Sequence, residues 1–272
     1  MELRDLGRLN GPVLLFGGPY SNLCATQAVI ARGRALGIAP ERMICTGDLV
    51  AYCAQAAETV AEIRALGCPV VAGNCEKQLA QYQMNCGCGF EAGTECDLLS
   101  RAWYAHADAA IGAADRRWMG TLPDMIVFRH HDRRCAVVHG GATDISRFLW
   151  PVSPEAEFED EISFIQSLAG RIDVIISGHS GVPFQRRIGE TLWVNAGAIG
   201  MPPNDGRPET RFALLDRAGI VVHELRYDHL ATRDAMRAAG LTQGYDGALI
   251  DGYWPSEGVL PPALRRAAVA SG

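Results

Sequence analysis

The chain has 272 residues, of which 48 % are hydrophobic and 21 % are charged, and its formal net charge is −6. This composition is typical of a globular protein and excludes a disordered tail or a fibre. The negative charge argues against a stable nucleic-acid partner, because nucleic-acid binders concentrate Lys and Arg on one face. A small anionic substrate would have to be held by a metal ion and backbone amides rather than by a basic field.

Targeting and cysteine signals predict a cytoplasmic protein. No apolar run reaches the roughly 18 to 20 residues of a membrane span, and residues 1–5 lack the apolar part of a signal peptide, so we expect no membrane partner. Nine cysteines without a secretory signal argue against a disulfide framework, and most should be reduced thiols. Because no composition break divides the chain, we predict one domain over residues 1–272, with 241–272 as a C-terminal arm.

The first half alternates short apolar runs with amphipathic segments. These predict strands at residues 12–16, 43–46 and 69–72, and helices at 23–36, capped by Asn22, and at 56–66. A β-α-β-α-β order predicts a parallel sheet, and such sheets bind ligands beyond the carboxyl ends of their strands.

The second half begins with an irregular, helical stretch between residues 76 and 122 and then becomes rich in strands. We predict a hairpin of 125–128 with 135–139 about a polar turn at 130–134, a helix at 155–168, strands at 173–177, 191–195, 211–215 and 220–225, and a short helix at 231–239. The hairpins indicate a second, partly antiparallel sheet.

Four of the apolar runs end beside glycine at a residue that can bind a metal ion. These residues are Asp48, Asn74, His139 and His179. Each alone has an ordinary explanation as a turn residue, a helix cap or a buried histidine. Together they predict a mixed oxygen and nitrogen site that suits Zn, Mn, Fe or Ni and is poorly suited to Ca or Mg.

The order of five motifs resembles the calcineurin-like metallophosphoesterases. The motifs are Gly47-Asp48, Gly73-Asn74-Cys75-Glu76, His139-Gly140, Gly178-His179 and Asn195-Ala196-Gly197. The likeness is strongest to a small bacterial branch with Gly-Asn-Cys-Asp where others have Gly-Asn-His-Asp, and it covers residues 12 to about 226. It implies a four-layer α-β-β-α sandwich of two mixed sheets, with the metal site on top of both.

The sequence departs from this family at the first metal motif. Family members usually have Asp-x-His-Gly-Asn at the positions of Gly18 to Asn22. They usually have Gly-His-x-His at the positions of Gly178 to Gly181, so glycine stands here in place of the last histidine. In the family, the three missing ligands all serve one metal of a pair. The resemblance therefore implies a degenerate dinuclear site with one divalent transition metal ion per chain, bound by Asp48, Asn74, His139 and His179.

Other residues near these motifs are candidates for supporting roles. Asn74, Tyr20 and Cys75 are placed to act in catalysis, although Tyr20 and Cys75 would need a large pKa shift to deprotonate water. Cys75 is alternatively a nucleophile, a metal ligand, or simply the residue that this branch carries. Glu76 and Asn195 are expected to orient ligands through hydrogen bonds, although the turn after Asn195 is alternatively an ordinary loop.

A second cysteine cluster, Cys86-Gly87-Cys88 with Cys96, is a weak zinc signal because it lacks two close pairs. We favour separate loop thiols, exposed or partly buried, that could form a wall over the site.

The preferred function is a metal-dependent phosphoesterase that hydrolyses a small phosphoester with metal-activated water. The alternatives are a degenerate family member that binds a metal or phosphorylated ligand as a sensor or scaffold, and a redox-active ion among thiols that supports other chemistry.

Overall fold

The computed structural model describes residues 1–266 of the chain, which form ten β-strands and eight α-helices. The strands are β1 (Leu3–Arg8), β2 (Val13–Phe16), β3 (Met43–Cys45), β4 (Met125–His130), β5 (Arg133–Val137), β6 (Val174–Ser177), β7 (Phe184–Ile188), β8 (Thr191–Asn195), β9 (Thr210–Leu215) and β10 (Ile220–Leu225). The helices are α1 (Leu23–Ala35), α2 (Ala56–Leu66), α3 (Asn74–Ala80), α4 (Glu95–Ala110), α5 (Ala113–Met119), α6 (Glu155–Ala169), α7 (His229–Ala238) and α8 (Tyr245–Asp251).

The strands form two mixed sheets. The larger has the order β1-β4-β5-β6-β8-β7, and the smaller has the order β10-β9-β2-β3. In the larger sheet β5, β6 and β8 are parallel, whereas β4 and β7 pair antiparallel to β5 and β8. In the smaller sheet β2 is parallel to β3 and antiparallel to β9. The predicted fold of two mixed sheets with helices is confirmed.

The layers follow from the two-residue period of the apolar strands. In β2, Val13 and Leu15 face the core between the sheets, whereas Leu14 and Phe16 pack with residues of α1 and α2. On the far side of the larger sheet, Ile175 belongs to the core that includes residues of α6. Because both faces of each sheet are covered, the central strands are continuous apolar runs.

Two predicted elements differ in the structure. Residues 69–72 form a single bridge, Cys45 with Val70, because Pro69 has no N–H to donate and the N–H of Ala72 turns to the carbonyl of Pro123. The hairpin turn is shorter than predicted, because β4 continues to His130 and β5 begins at Arg133. Strands β1 and β7 and helices α4, α5 and α8 were not predicted individually.

The segment after α7 packs against the core through buried side chains that include Tyr245, Ala248 and Leu249. The last part of the predicted arm, residues 267–272, lies outside the described residues. Across residues 1–266, no helix combines the length and apolar character needed to cross a bilayer.

Candidate metal centre

The four predicted ligands come from four loops at one edge of the two sheets. Asp48 follows β3, Asn74 is the first residue of α3, His139 follows β5 and His179 follows β6. The Nε2 atom of His139 lies 3.0 Å from Asn74 Oδ1, 3.1 Å from His179 Nδ1 and 3.2 Å from Asp48 Oδ2. The Nδ1 atom of His179 lies 4.0 Å from Asp48 Oδ2. The structure therefore brings these four side chains together.

The orientation of His139 turns one ring nitrogen toward the other three side chains. Its Nδ1 lies 2.6 Å from the carbonyl oxygen of Thr46, which can only accept, so Nδ1 carries a hydrogen and Nε2 faces the group. Two imidazole nitrogens, an amide oxygen and a carboxylate oxygen then face one another. Each of these four atoms can offer an electron pair to a cation. This donor set fits a divalent transition metal.

The charged side chains of this group shift one another's pKa values. Burial alone would raise the pKa of Asp48, but His139 and then His179 hold it below its usual range. Burial alone would lower the pKa of His139, but Asp48 outweighs burial and raises it. Burial, and then the charge of His139, lower the pKa of His179 to about 3. The lowered pKa of Asp48 and the raised pKa of His139 thus have one common cause, which is the attraction between the two side chains.

Glu76 fixes the loop that carries Asp48. Its carboxylate is fully buried and accepts hydrogen bonds from the backbone N–H groups of Gly73, Asp48 and Leu49, each at 2.8 Å. Burial, and then the Asp48 carboxylate, raise the pKa of Glu76 to about 7, while the three N–H groups favour its ionised form. Glu76 thus positions Asp48 through the backbone.

Asn195 supports the loop of His179 in the same way. Its Nδ2 donates to the carbonyl of Gly178 at 2.6 Å and to Ser180 Oγ at 2.9 Å, and its Oδ1 accepts from the N–H of Gly197. Both Asp48 and His179 have positive φ, 56° and 59°, which is uncommon for residues other than glycine. Buried hydrogen bonds therefore hold two ligand loops in strained backbone conformations.

The side chain of Asn74 is oriented by the cysteine loop. Its Nδ2 donates to the carbonyl of Cys86 at 2.8 Å, which turns Oδ1 toward His139. Cys86 and Cys88 form a disulfide and are both buried, so the expectation of separate loop thiols is wrong for this pair. The reason is the turn at Gly87, which brings the two sulfur atoms together. Cys96 lies apart from them and contacts Ser256.

Tyr20 and Cys75 lie beside the group, but their protonation does not favour a role as base. Burial and then Asp48 raise the pKa of both side chains well above their usual values. The ring of Tyr20 lines the pocket next to Asp48, and the backbone N–H of Cys75 lies 3.4 Å from Asp48 Oδ1. Their roles in catalysis stay predictions, and the geometry suits packing and positioning better than proton transfer.

Two supporting contacts were missed from the sequence. The buried carboxylate of Glu161 accepts from the N–H groups of Ala142 and Thr143, in the loop that follows His139. The ring of Phe148 lies 4.3 Å, centroid to centroid, from that of His179. Glu161 occurs in an apolar helix face, and a carboxylate at such a position is the one signal that would have indicated it.

Comparisons with known proteins identify the family and agree with the fold. The model of the calcineurin-like phosphoesterase superfamily domain matches residues 23–218. Among solved structures, a hypothetical protein from Pyrococcus horikoshii OT3 has a TM-score of 0.72 at 18 % identity, with 90 % of this chain and 99 % of that chain covered. A metallophosphoesterase from Sphaerobacter thermophilus has a TM-score of 0.68 at 21 % identity, with 90 % and 100 % covered.

No match was found among curated proteins. The two structures are similar in fold, whereas the family model spans more than half of the chain. The chain therefore belongs to the calcineurin-like phosphoesterase superfamily.

Proposed function

We propose that this protein is a metal-dependent phosphoesterase that hydrolyses a small phosphoester at a site with one metal ion. The observation that carries the proposal is the convergence of Asp48, Asn74, His139 and His179, whose donor atoms face one another. A bound divalent ion would supply Lewis-acid polarisation of a phosphoryl oxygen and a lowered pKa for water. Mn, Fe, Zn and Ni suit these donors.

The residues around the four predicted ligands hold the ligand side chains and loops in position. The carbonyl of Thr46 accepts the Nδ1 hydrogen of His139 and so directs Nε2 toward the other ligands, and Glu76 holds the Asp48 loop. The ligand side chains are nearly fully buried, so few waters surround them. Exclusion of water strengthens electrostatic interactions with a phosphoryl group.

The proposal of a single ion rests on the residues that stand here in place of the ligands of the family's second metal. A Cβ atom at Gly18 would lie 2.4 Å from the ring of Tyr20, so no ligand side chain fits at residue 18 beside this ring. A Cβ atom at Gly181 would lie 3.6 Å from the indole of Trp254. Aromatic rings therefore stand beside both positions where family ligands are absent.

A binding protein without turnover is the second candidate. The absence of three usual family ligands, at residues 18, 20 and 181, favours this candidate. Such a protein would keep the ligand group and bind a phosphorylated molecule without cleaving it. A cytoplasmic location and the absence of a stable nucleic-acid partner remain part of the proposal under either function.

Metal analysis combined with kinetics tests the proposal. Purified protein should contain about one equivalent of metal and hydrolyse a generic aryl phosphate. Asp48→Ala and His179→Ala should each lower kcat/KM by more than about 100-fold and release the metal. Asp160→Ala and His223→Ala, at positions outside the ligand group, are the matched controls and should leave both measurements unchanged.

The outcomes separate the candidates. One bound metal with no turnover on a broad phosphoester panel would exclude the phosphoesterase and favour the binding protein. Folded protein that takes up none of the four metal ions would exclude the metal-dependent phosphoesterase, and folded protein that binds neither a metal ion nor inorganic phosphate would exclude both candidates.

A further inference from the structure

A pocket with aromatic walls lies directly beside the candidate metal centre. Asp48 and His179 form part of its lining, and it contains about 620 Å³ of empty space, some of it open to solvent. Six aromatic residues line it: Tyr20, Tyr52, Phe90, Phe148, Tyr245 and Trp254.

The charge of the pocket limits what it can bind. Among residues 1–266, its lining includes no Lys or Arg, and its polar groups other than the metal ligands are hydroxyls and sulfur atoms such as those of Ser180, Ser256 and Cys96. A second anionic group on the substrate would be desolvated there without a partner, which is costly. The part of a substrate that enters the pocket must therefore be uncharged.

The rings are held in place and present apolar surfaces. The indole N–H of Trp254 already donates to the carbonyl of Pro202 at 2.7 Å, and the backbone N–H of Trp254 donates to Asn204 Oδ1 at 2.7 Å. Because its polar group is used, Trp254 offers the pocket its apolar ring. Tyr20 and Tyr52 meet edge to face with centroids 4.9 Å apart. Fixed aromatic walls bind flat aromatic groups well.

We propose that the substrate is a phosphoester of an uncharged, planar aromatic alcohol, whose ring binds against Trp254 and Phe148 while its phosphoryl group lies at the metal ligands. This inference rests on the proposed function, because it assigns the leaving group of the same reaction.

A pair of substrates with leaving alcohols of similar acidity tests the inference. Metal-loaded protein should hydrolyse benzyl phosphate with a kcat/KM about 30-fold above that of methyl phosphate, because only the benzyl ring can bury apolar surface. Trp254→Ala should lower this ratio about tenfold, whereas Trp254→Phe should retain most of it. Trp118→Ala, a matched truncation on α5 outside the pocket, should leave the ratio unchanged.

Equilibrium binding gives a readout that does not require turnover. Calorimetry should show that benzylphosphonate binds the metal-loaded protein about 30-fold more tightly than methylphosphonate, with the same sensitivity to Trp254→Ala. Equal affinities for the two phosphonates, or an undiminished preference in Trp254→Ala, would overturn the inference. A preserved benzylphosphonate preference without hydrolysis of any phosphoester would instead overturn the proposed function and leave the pocket's specificity established.

Discussion

The edge of the two sheets that carries the candidate metal centre, here called the rim, has two halves that are built in different ways. The ligand half comprises the four predicted ligands, Asp48, Asn74, His139 and His179, and hydrogen bonds orient each of these side chains or its loop. The aromatic half comprises Gly18, Tyr20, Gly181 and Trp254, and close packing shapes it.

This difference predicts different effects for substitutions in the two halves. In the ligand half, a change in a supporting residue alters both the free energy of unfolding and metal affinity, because the same hydrogen bonds serve both. In the aromatic half, a change alters stability or substrate choice and leaves the ligands in place. Four predictions test this contrast, beginning with the largest expected effect.

Glu76→Gln should lower the free energy of unfolding by about 4 kcal/mol. The amide has one oxygen and cannot accept all three backbone N–H groups, so its NH₂ group would face at least one buried N–H donor. Metal affinity should fall about 100-fold as the Asp48 loop relaxes. Denaturant unfolding and metal titration give the two values.

Glu161→Gln is the matched control for Glu76→Gln. It also removes a buried carboxylate that accepts backbone N–H groups, but its loop begins at Ala142, beyond His139. A similar loss of stability with a metal affinity within about tenfold of wild type is expected. An equal fall in affinity for both variants would show that Glu76 has no special connection to the ligands.

Gly18→Asp tests the aromatic half. Gly18 has a φ of +48°, and a Cβ atom there would lie 2.4 Å from the Tyr20 ring, so this variant should lose about 3 kcal/mol of stability. Gly37→Asp has a similar φ of +66° with open space around the Cβ, and should lose only about 1 kcal/mol. Thermal or chemical unfolding measures both.

Adding Tyr20→His to Gly18→Asp should recover part of that loss, because the smaller ring relieves the collision. Metal stoichiometry in the double variant should be at least one. Identical losses for Gly18→Asp and Gly37→Asp would mean that the Tyr20 ring does not exclude a side chain from residue 18.

Asn195→Ala should lower the free energy of unfolding by about 2 kcal/mol, because the buried carbonyl of Gly178 and the N–H of Gly197 lose their partner. Metal affinity should fall about tenfold, since the strained loop of His179 is less restrained. Ser180→Ala removes only one hydrogen bond of Asn195 and should have a smaller effect on both. Unchanged metal affinity in Asn195→Ala would limit this residue to a role in folding.

The grouping of the four predicted ligands could be predicted from the sequence because its signal is local. Each ligand follows a short apolar strand or bridge beside glycine, and the carboxyl ends of parallel strands meet at one edge. The aromatic half carries no such signal, since Trp254 comes from a segment without a recognisable period and packs back over the rim. Its contacts are set by tertiary structure alone.

The missed strands have the same cause. Strand β1 is largely exposed, and β7 has a polar centre, so neither shows the apolar run that indicates a buried strand. Both are edge strands, where side-chain burial is weak and polar residues are tolerated. Edge strands therefore had to be found in the structure.

The smallest effect is expected from the ion pair that anchors α3 outside the rim. The Asp124 carboxylate lies 2.6 Å from Lys77 Nζ and accepts from the N–H of Glu2. Burial alone would raise the pKa of Asp124, but Lys77 and the N–H of Glu2 hold it below its usual 3.8. Because both side chains are partly exposed, solvent screening limits the pair to about 0.5 kcal/mol.

Asp124→Asn should therefore cost about 0.5 kcal/mol at pH 7 and leave metal affinity unchanged, since α3 remains anchored by Glu76. A depressed pKa stabilises the folded state above the unfolded value of 3.8, so this contribution should disappear as the pH falls through the lower folded pKa. Denaturant unfolding of both proteins across that range measures the difference. A loss that does not change with pH would assign the effect to packing, and a fall in metal affinity would extend the ligand half beyond the rim.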